Sequence, residues 1–199
     1  MPKIEKITKQ TENPYVNLYL VEGKNKVDHP FRYYVASRAK TMEALKIKTK
    51  KNTPDGVLMY SLYGEKRDKI VLVRQYRVSI DDYIYEFPAG LVESGEEFHE
   101  AAVREMHEET GLTFHPLKVD PCYEKPFFTT IGMTDEACSA VYGWCEISRK
   151  YLEESEVIEV VLADREEAKR ILREENVAIM CSYHLMHFIH DEEPFAFLK

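Results

Sequence analysis

The sequence has no run approaching the roughly 18 apolar residues that a membrane-spanning helix needs. Its opening residues, Met1-Pro2-Lys3-Ile4-Glu5-Lys6, lack the apolar core of a signal peptide. It has no basic run either. Its 35 acidic and 27 basic side chains give a formal net charge of −8, which argues against nucleic acid as a partner while leaving a small phosphate compound open through a metal site. Four cysteines, Cys122, Cys138, Cys145 and Cys181, show neither C-x-x-C spacing nor the density of a disulfide scaffold, so they are expected to be reduced and mostly buried. No internal repeat and no low-complexity segment interrupts the chain. The expectation is a cytoplasmic protein engaging neither membrane nor nucleic acid. Its 199 residues, 44% of them hydrophobic, suffice for one good core or a core plus a small accessory unit.

What the sequence does contain is organised around one acidic stretch, Gly90 to Leu112. Ser94 and Glu97 form an S-x-x-E capping box, which predicts a helix beginning near Gly95, and Gly111 can take the left-handed conformation that closes it. At 100° per residue, Glu105, Glu108 and Glu109 fall on the side that Phe98, Ala101 and Ala102 fill in the preceding turns, so that side looks inward. Val103 and Met106 give a second apolar flank. An acidic helix face is ordinarily a solvated one. Here, however, Glu105 and Glu109 are like charges at i,i+4, costing about a few tenths of a kcal/mol on an exposed helix. No lysine occurs between Val92 and Leu117. Clustered carboxylates without a local lysine suit a hard divalent ion, since Mg2+ prefers oxygen ligands and is commonly shared with substrate phosphates.

Gly90, Glu96, Arg104, Glu105, Met106, Glu108, Glu109, Gly111 and Leu112 occupy every specified position of G-x5-E-x7-R-E-U-x-E-E-x-G-U, and the chain thereby resembles the Nudix hydrolases. The resemblance implies an α/β/α sandwich with a mixed sheet and hydrolysis of a nucleoside diphosphate linked to another group. It further implies Mg2+ or Mn2+, more than one ion, held at Glu105, Glu108 and Glu109, with Arg104 orienting a glutamate and Glu96 bracing the loop. Glu86-Phe87-Pro88-Ala89-Gly90, with Gln75-Tyr76-Arg77, is similar to the ADP-ribose pyrophosphatase branch. There the carbonyl matching Ala89 ligates metal and the arginine matching Arg77 faces the substrate.

Gly132-Met133-Thr134-Asp135-Glu136 resembles that branch's loop carrying the carboxylate that activates water. Asp135 and Glu136 are both candidates, Glu136 preferred, although Ile131 stands where the branch has a proline. That departure keeps GDP-mannose and other nucleotide sugars open beside ADP-ribose. A nucleotide-sugar sensor without turnover and a nucleoside triphosphate hydrolase are the competing readings.

Taken in order, Tyr15–Glu22 and Pro30–Ser37 read as strands with a turn at Gly23-Lys24-Asn25, and Thr53-Pro54-Asp55-Gly56 is a turn signal. This sets residues 1–52 apart as a small N-terminal β unit that the resemblance assigns to a homodimer interface and substrate support, leaving 53–199 as the hydrolase domain. Val57–Tyr63, Lys69–Tyr76, Tyr83–Phe87, Leu117–Tyr123, Ala137–Ile147 and Val157–Leu162 read as strands, and Asp164–Glu175 and Ala178–Ile189 as helices. Phe127–Asp135 reads as a loop. His184, His187 and His190 repeat every third residue, but such steps drift around a helix, so they are expected to be surface residues rather than one metal site.

Overall fold

The computed structural model describes residues 2–147 and 158–199. Its elements are β1 (Lys3–Lys9), β2 (Asn17–Lys24), β3 (Pro30–Ser37), α1 (Lys46–Thr49), β4 (Gly56–Tyr63), β5 (Lys69–Arg77), β6 (Asp82–Glu86), β7 (Ala89–Leu91) and α2 (Phe98–Thr110). There follow β8 (Leu112–Pro116), α3 (Pro121–Glu124), β9 (Phe127–Phe128), β10 (Ala137–Ile147), β11 (Ile158–Ala163), α4 (Arg165–Glu174) and α5 (Ile179–His190). The chain divides into two compact units, one of Met1–Asp55 with Pro126–Cys138, the other of Gly56–Lys125 with Ser139–Lys199.

In the first unit β1, β2 and β3 form an antiparallel sheet in that order. The segment after α3 belongs to it by hydrogen bonding: Ala36 donates to the Met133 carbonyl at 2.9 Å, and the Tyr33 hydroxyl reaches the Gly132 carbonyl at 2.5 Å. Asp55 closes the unit, its carboxylate accepting from Ala137 N–H at 2.9 Å and from Lys46 Nζ at 2.5 Å.

In the second unit the sheet runs β11-β5-β4-β10-β8. β4 reads as a near-continuous apolar run because both of its faces are covered. Its alternation sorts the layers. Val57 and Met59, with Val71 of β5, pack under Ala101, Ala102 and Met106 of α2. Leu58, Tyr60 and Leu62, with Ile70 and Leu72, pack under Ala168 and Ile171 of α4 and Cys181, Leu185 and Phe188 of α5. This is a mixed sheet covered by helices on both faces, the α/β architecture expected. Tyr60 anchors the second layer, its ring 5.3 to 5.7 Å from Phe197, Phe87 and Phe195 in edge-on contacts. Such pairs add about 0.5–1.5 kcal/mol each beyond area burial.

Several local expectations need correction. Helix α2 begins at Phe98, three residues after Gly95, because Glu97 is the cap: its carboxylate accepts from His99 N–H at 2.8 Å, while Gly95 takes a positive φ of 86° in the turn before it. Val103 is 40% exposed, so only Met106 of the second flank is buried. Leu117–Tyr123 is not a strand; the strand is β8, directly after the helix, and Asp120 with Pro121 starts the short α3 instead. β1 was not anticipated, its seven residues being mostly exposed and lysine-rich. β2 continues through Gly23 and Lys24, which moves the turn to residues 25–29. β6 ends at Glu86, ahead of Pro88, and the chain then re-enters the sheet in β7, which the sequence did not indicate. β11 starts at Ile158; Val157 of the expected strand lies outside the described residues. Among the cysteines, Cys145 and Cys181 are buried, but Cys122 is exposed. His184 is not a surface residue: it sits among Tyr60, Phe87, Tyr142 and Phe197, and burial pushes its pKa down.

β10 and β8 lie close at Gly143, opposite Pro116, where a β-carbon would come within 2.4 Å of the His115 carbonyl oxygen and 2.5 Å of the Phe114 ring. Both obstacles are held by the sheet and the core. Gly143→Ala is therefore expected to cost about 1–3 kcal/mol, as overpacking does. Chemical denaturation checks this, and an unchanged midpoint would count against the rigidity of that contact.

Candidate active site

The pairing of β4 and β5 is short, covering Leu62 with Ile70 and Tyr63 with Lys69. Beyond it the two strands take different partners: β5 pairs with β6 through Val73 to Arg77, and β4 pairs with β7 through Gly56 to Leu58. The chain from β6 to β7 thus passes from one strand to the other, and its residues inherit the faces of their partners. Val71 faces α2, so by period two Val73, Gln75 and Arg77 do as well, together with Glu86, which pairs with Val73. Val57 faces α2, and so does its partner Gly90. The register of two short ladders delivers Arg77, Glu86 and Gly90 to the face occupied by the glutamate-bearing helix.

Gly90 meets that helix with no room to spare. A β-carbon there would lie 1.9 Å from the carboxyl carbon of Glu105 and 2.3 Å from both of its oxygens. One turn further along α2, Glu109 accepts the Ala89 N–H at 2.9 Å. The Glu109 carboxyl is pushed up to about 7, first by burial and then by the carboxylates of Glu105 and Glu86, against the opposing effects of the Ala89 N–H and the Arg77 guanidinium. Glu86 in turn accepts Gln75 Nε2 at 2.8 Å and Arg77 Nε at 2.7 Å.

Arg104 joins the remaining carboxylates. Its Nε and Nη2 bind the two oxygens of Glu96 at 2.9 Å each, Nη1 reaches Glu105 at 2.8 Å and Glu108 at 3.1 Å, and Nη2 also donates to the Leu91 carbonyl at 3.1 Å. All five guanidinium hydrogens have acceptors. Glu96 additionally accepts Glu93 N–H at 2.9 Å, and its carboxyl is held below the usual range chiefly by Arg104. These bonds brace the loop between β7 and α2.

The structure therefore brings together Ala89, Arg104, Glu105, Glu108 and Glu109, with Arg77 at the margin. Sequence reasoning had quoted Glu86 without giving it a role; its signal was the parity it shares with Gln75 and Arg77 across the hairpin. Glu136 belongs to the first unit, where Arg38 Nε holds its Oε1 at 2.8 Å and the Thr129 hydroxyl its Oε2 at 3.2 Å. Asp135 accepts Lys46 N–H at 3.3 Å.

Among the described residues, no group of three or more His, Cys, Asp or Glu side chains is gathered as a ready metal cage. Glu105 and Glu108 are turned to Arg104 instead. The donors nonetheless suit a hard cation. They are all oxygens, and Glu109 is desolvated beside two further carboxylates, a concentration of negative charge that a divalent ion relieves.

The obstacle at Gly90, unlike that at Gly143, is the tip of a flexible side chain. Gly90→Ala should accordingly leave thermal stability within about 1 kcal/mol of the parent while displacing the Glu105 carboxylate, weakening Mn2+ binding by about 10- to 100-fold. Calorimetric melting and an electron paramagnetic resonance titration measure the two. A large loss of stability with unaltered Mn2+ affinity would overturn this account of the contact.

Residues 52–183, more than half of the chain, match the NUDIX domain family model. Over 113 residues the chain is 34% identical to the ADP-ribose pyrophosphatase of Bacillus subtilis (strain 168), covering 55% of this chain and 58% of that protein. It is 30% identical over 128 residues to the methanol dehydrogenase activator of Bacillus methanolicus, covering 62% and 65%. It is 36% identical over 87 residues to the ADP-sugar pyrophosphatase of Mus musculus, covering 42% and 40%. Each match spans less than two thirds of the relative's length. The crystal structure of an ADP compounds hydrolase aligns with a TM-score of 0.69 over 94% of this chain and 91% of that one at 16% identity, a likeness of fold alone. With the family model covering α2 and the complete acidic signature set against Gly90, the chain belongs to the Nudix family.

Proposed function

We propose that this chain hydrolyses the diphosphate linkage of a nucleoside diphosphate sugar, with ADP-ribose, yielding AMP and ribose 5-phosphate, as the first substrate to test and GDP-mannose as the alternative. The observation that carries the reading is the placement of Glu105 and Glu109 against the Ala89-Gly90 corner, with Arg104 holding Glu105 and Glu108. The names of the Bacillus subtilis and Mus musculus relatives point to the same substrate class. Glu105, Glu108, Glu109 and the Ala89 carbonyl would hold Mg2+ or Mn2+, more than one ion in this reading. When bound, such ions supply charge neutralisation on a diphosphate and lower the pKa of a coordinated water.

The chain's own residues do the rest. Arg104 fixes the orientation of Glu105 and Glu108, so that the carboxylates are placed before substrate arrives. Arg77 is anchored to Glu86 through Nε, and in this reading its Nη groups would bind a phosphate or sugar oxygen. For Glu136 as the group that takes the proton from the attacking water, the support is the loop resemblance alone.

A second reading, a binding domain without turnover, draws on the methanol dehydrogenase activator among the relatives. A panel of nucleotide sugars at saturating Mg2+, with products read by chromatography, separates the two; no turnover on any of them would sink the enzymatic reading. In the same assay Glu109→Gln is expected to lower turnover by orders of magnitude. Glu136→Gln should lower kcat about 10²- to 10⁴-fold at nearly unchanged substrate and metal affinity, with Asp135→Asn much milder. If the two loop substitutions behave alike, or if Glu136→Gln mainly raises the metal requirement, the base is another residue.

The homodimer is also part of this proposal, with residues 1–52 serving the interface. Exposed Tyr15, Tyr33 and Tyr34, respectively 77%, 44% and 52% accessible, support it. Light scattering of the full chain should return twice the chain mass at micromolar concentration; a monomer there removes the idea.

A further inference from the structure

The first turn of α2 carries a histidine between two carboxylates. His99 Nδ1 lies 2.9 Å from Glu97 Oε1, and Nε2 lies 3.1 Å from Glu124 Oε1. A neutral imidazole has one N–H and one lone pair, and a lone pair facing a carboxylate oxygen at this distance is repelled. Only the doubly protonated ring donates to both. The Glu124 side chain is 9% exposed, and a charge so far removed from water needs a partner of opposite sign. The contact also has a structural consequence. Glu124 ends α3, whose Tyr123 packs against the apolar cluster beneath α4 and α5, whereas α2 covers the opposite face of the sheet. His99 ties the two layers together beyond β8, the last strand in the sheet order.

We infer that His99 is an imidazolium clasp between Glu97 and Glu124 and acts as a positioning residue for the glutamates further along α2. The functional half of this inference rests on the hydrolase reading above; the clasp itself does not.

Burial alone would pull the histidine pKa down, but the hydrogen bonds to Glu97 and Glu124 outweigh it, and the pKa is raised above its ordinary value of 6.5. The other titratable groups around the clasp are Tyr142, Tyr123 and Lys125. Tyr142, beyond Glu124, is pushed up to about 12 by burial and stays neutral; Tyr123 and Lys125 flank Glu124 on α3 and at its end. A histidine pKa raised by folding contributes stability in full below its unfolded value, and that contribution is lost as pH rises through the folded value. The clasp is accordingly closed below pH 6.5 and opens as pH rises through the raised folded value. When it opens, α2 loses its tie to α3 at the end that sets the helix on the sheet.

Two measurements test this on the full chain. In proton–carbon NMR, with His99 assigned through the signal missing from His99→Gln, the ring should titrate above pH 6.5, and Glu124→Gln should move that titration to lower pH. In kinetics, His99→Gln should lower kcat about tenfold at pH values below the ring's NMR midpoint and flatten the decline above it, whereas His99→Arg, a permanent cation with several donors, should hold its rate where the parent falls. Titration at or below 6.5, or a midpoint unmoved by Glu124→Gln, overturns the clasp. A clasp intact by NMR with kcat unchanged in His99→Gln overturns the positioning role. Because the NMR readout needs no substrate, failure of the hydrolase reading would be recognised separately.

Discussion

The guanidinium of Arg104 is the interaction on which the candidate site depends. Five hydrogens in a fixed plane meet one backbone carbonyl and three carboxylates, so a single side chain holds the loop after β7, the start of the signature and two of its glutamates in one arrangement. Lysine has the charge but not the fork. Without the fork, Glu96 would lose the partner that holds its carboxyl below the usual range, and Glu105 and Glu108 would lose the one guanidinium that binds both of them. The like charges along α2, unfavourable on a free helix, are tolerated because an arginine is built among them.

That arrangement also explains which parts of the site were legible in the sequence. The signature glutamates and Arg104 were readable because their spacing on one helix is local. Gly90 was readable as a motif position, but its reason is not local: it lies in the register that sets Gly90 opposite Val57 and so turns it toward Glu105. Glu86 was passed over for the same cause. Its place beside Glu109 follows from the hairpin of β5 and β6, and a single strand read alone does not show which of its faces meets the helix. His99 carried no motif at all, since its partner Glu124 is 25 residues away, just past the expected strand Leu117–Tyr123 and at the end of a helix that was not expected.

The fold was legible to a similar depth. Long, strongly patterned elements such as β10, α4 and α5 were recovered almost to the residue, and the covering of the sheet on both faces followed from them. Short elements were not. β8 is five residues, from Leu112 beside the helix-closing Gly111 to Pro116, too brief for its alternation to stand out, and the lysines and isoleucines of β1 recur every third residue rather than every second on a mostly exposed ladder. The start of α2 was misplaced because Ser94 was read as the cap, whereas Gly95 takes a positive φ in the turn and the Glu97 carboxylate accepts the His99 N–H instead. His184 was misjudged for the converse reason. Its three-residue repeat with His187 and His190 says nothing of the face on which the repeat begins, and Cys181, Leu185 and Phe188 draw that first histidine into the core.

The alternation of β4 makes this strand a partition one residue thick. Side chains at Val57 and Met59 support α2, which bears the candidate-site glutamates, while those at Leu58, Tyr60 and Leu62 support α4 and α5. Neighbours in sequence therefore meet different demands: one set packs against the helix that places the carboxylates, the other against the volume of an aromatic core. A change of volume in the layer under α4 and α5 is passed to the other layer through the backbone of the strand, not by side-chain contact across it.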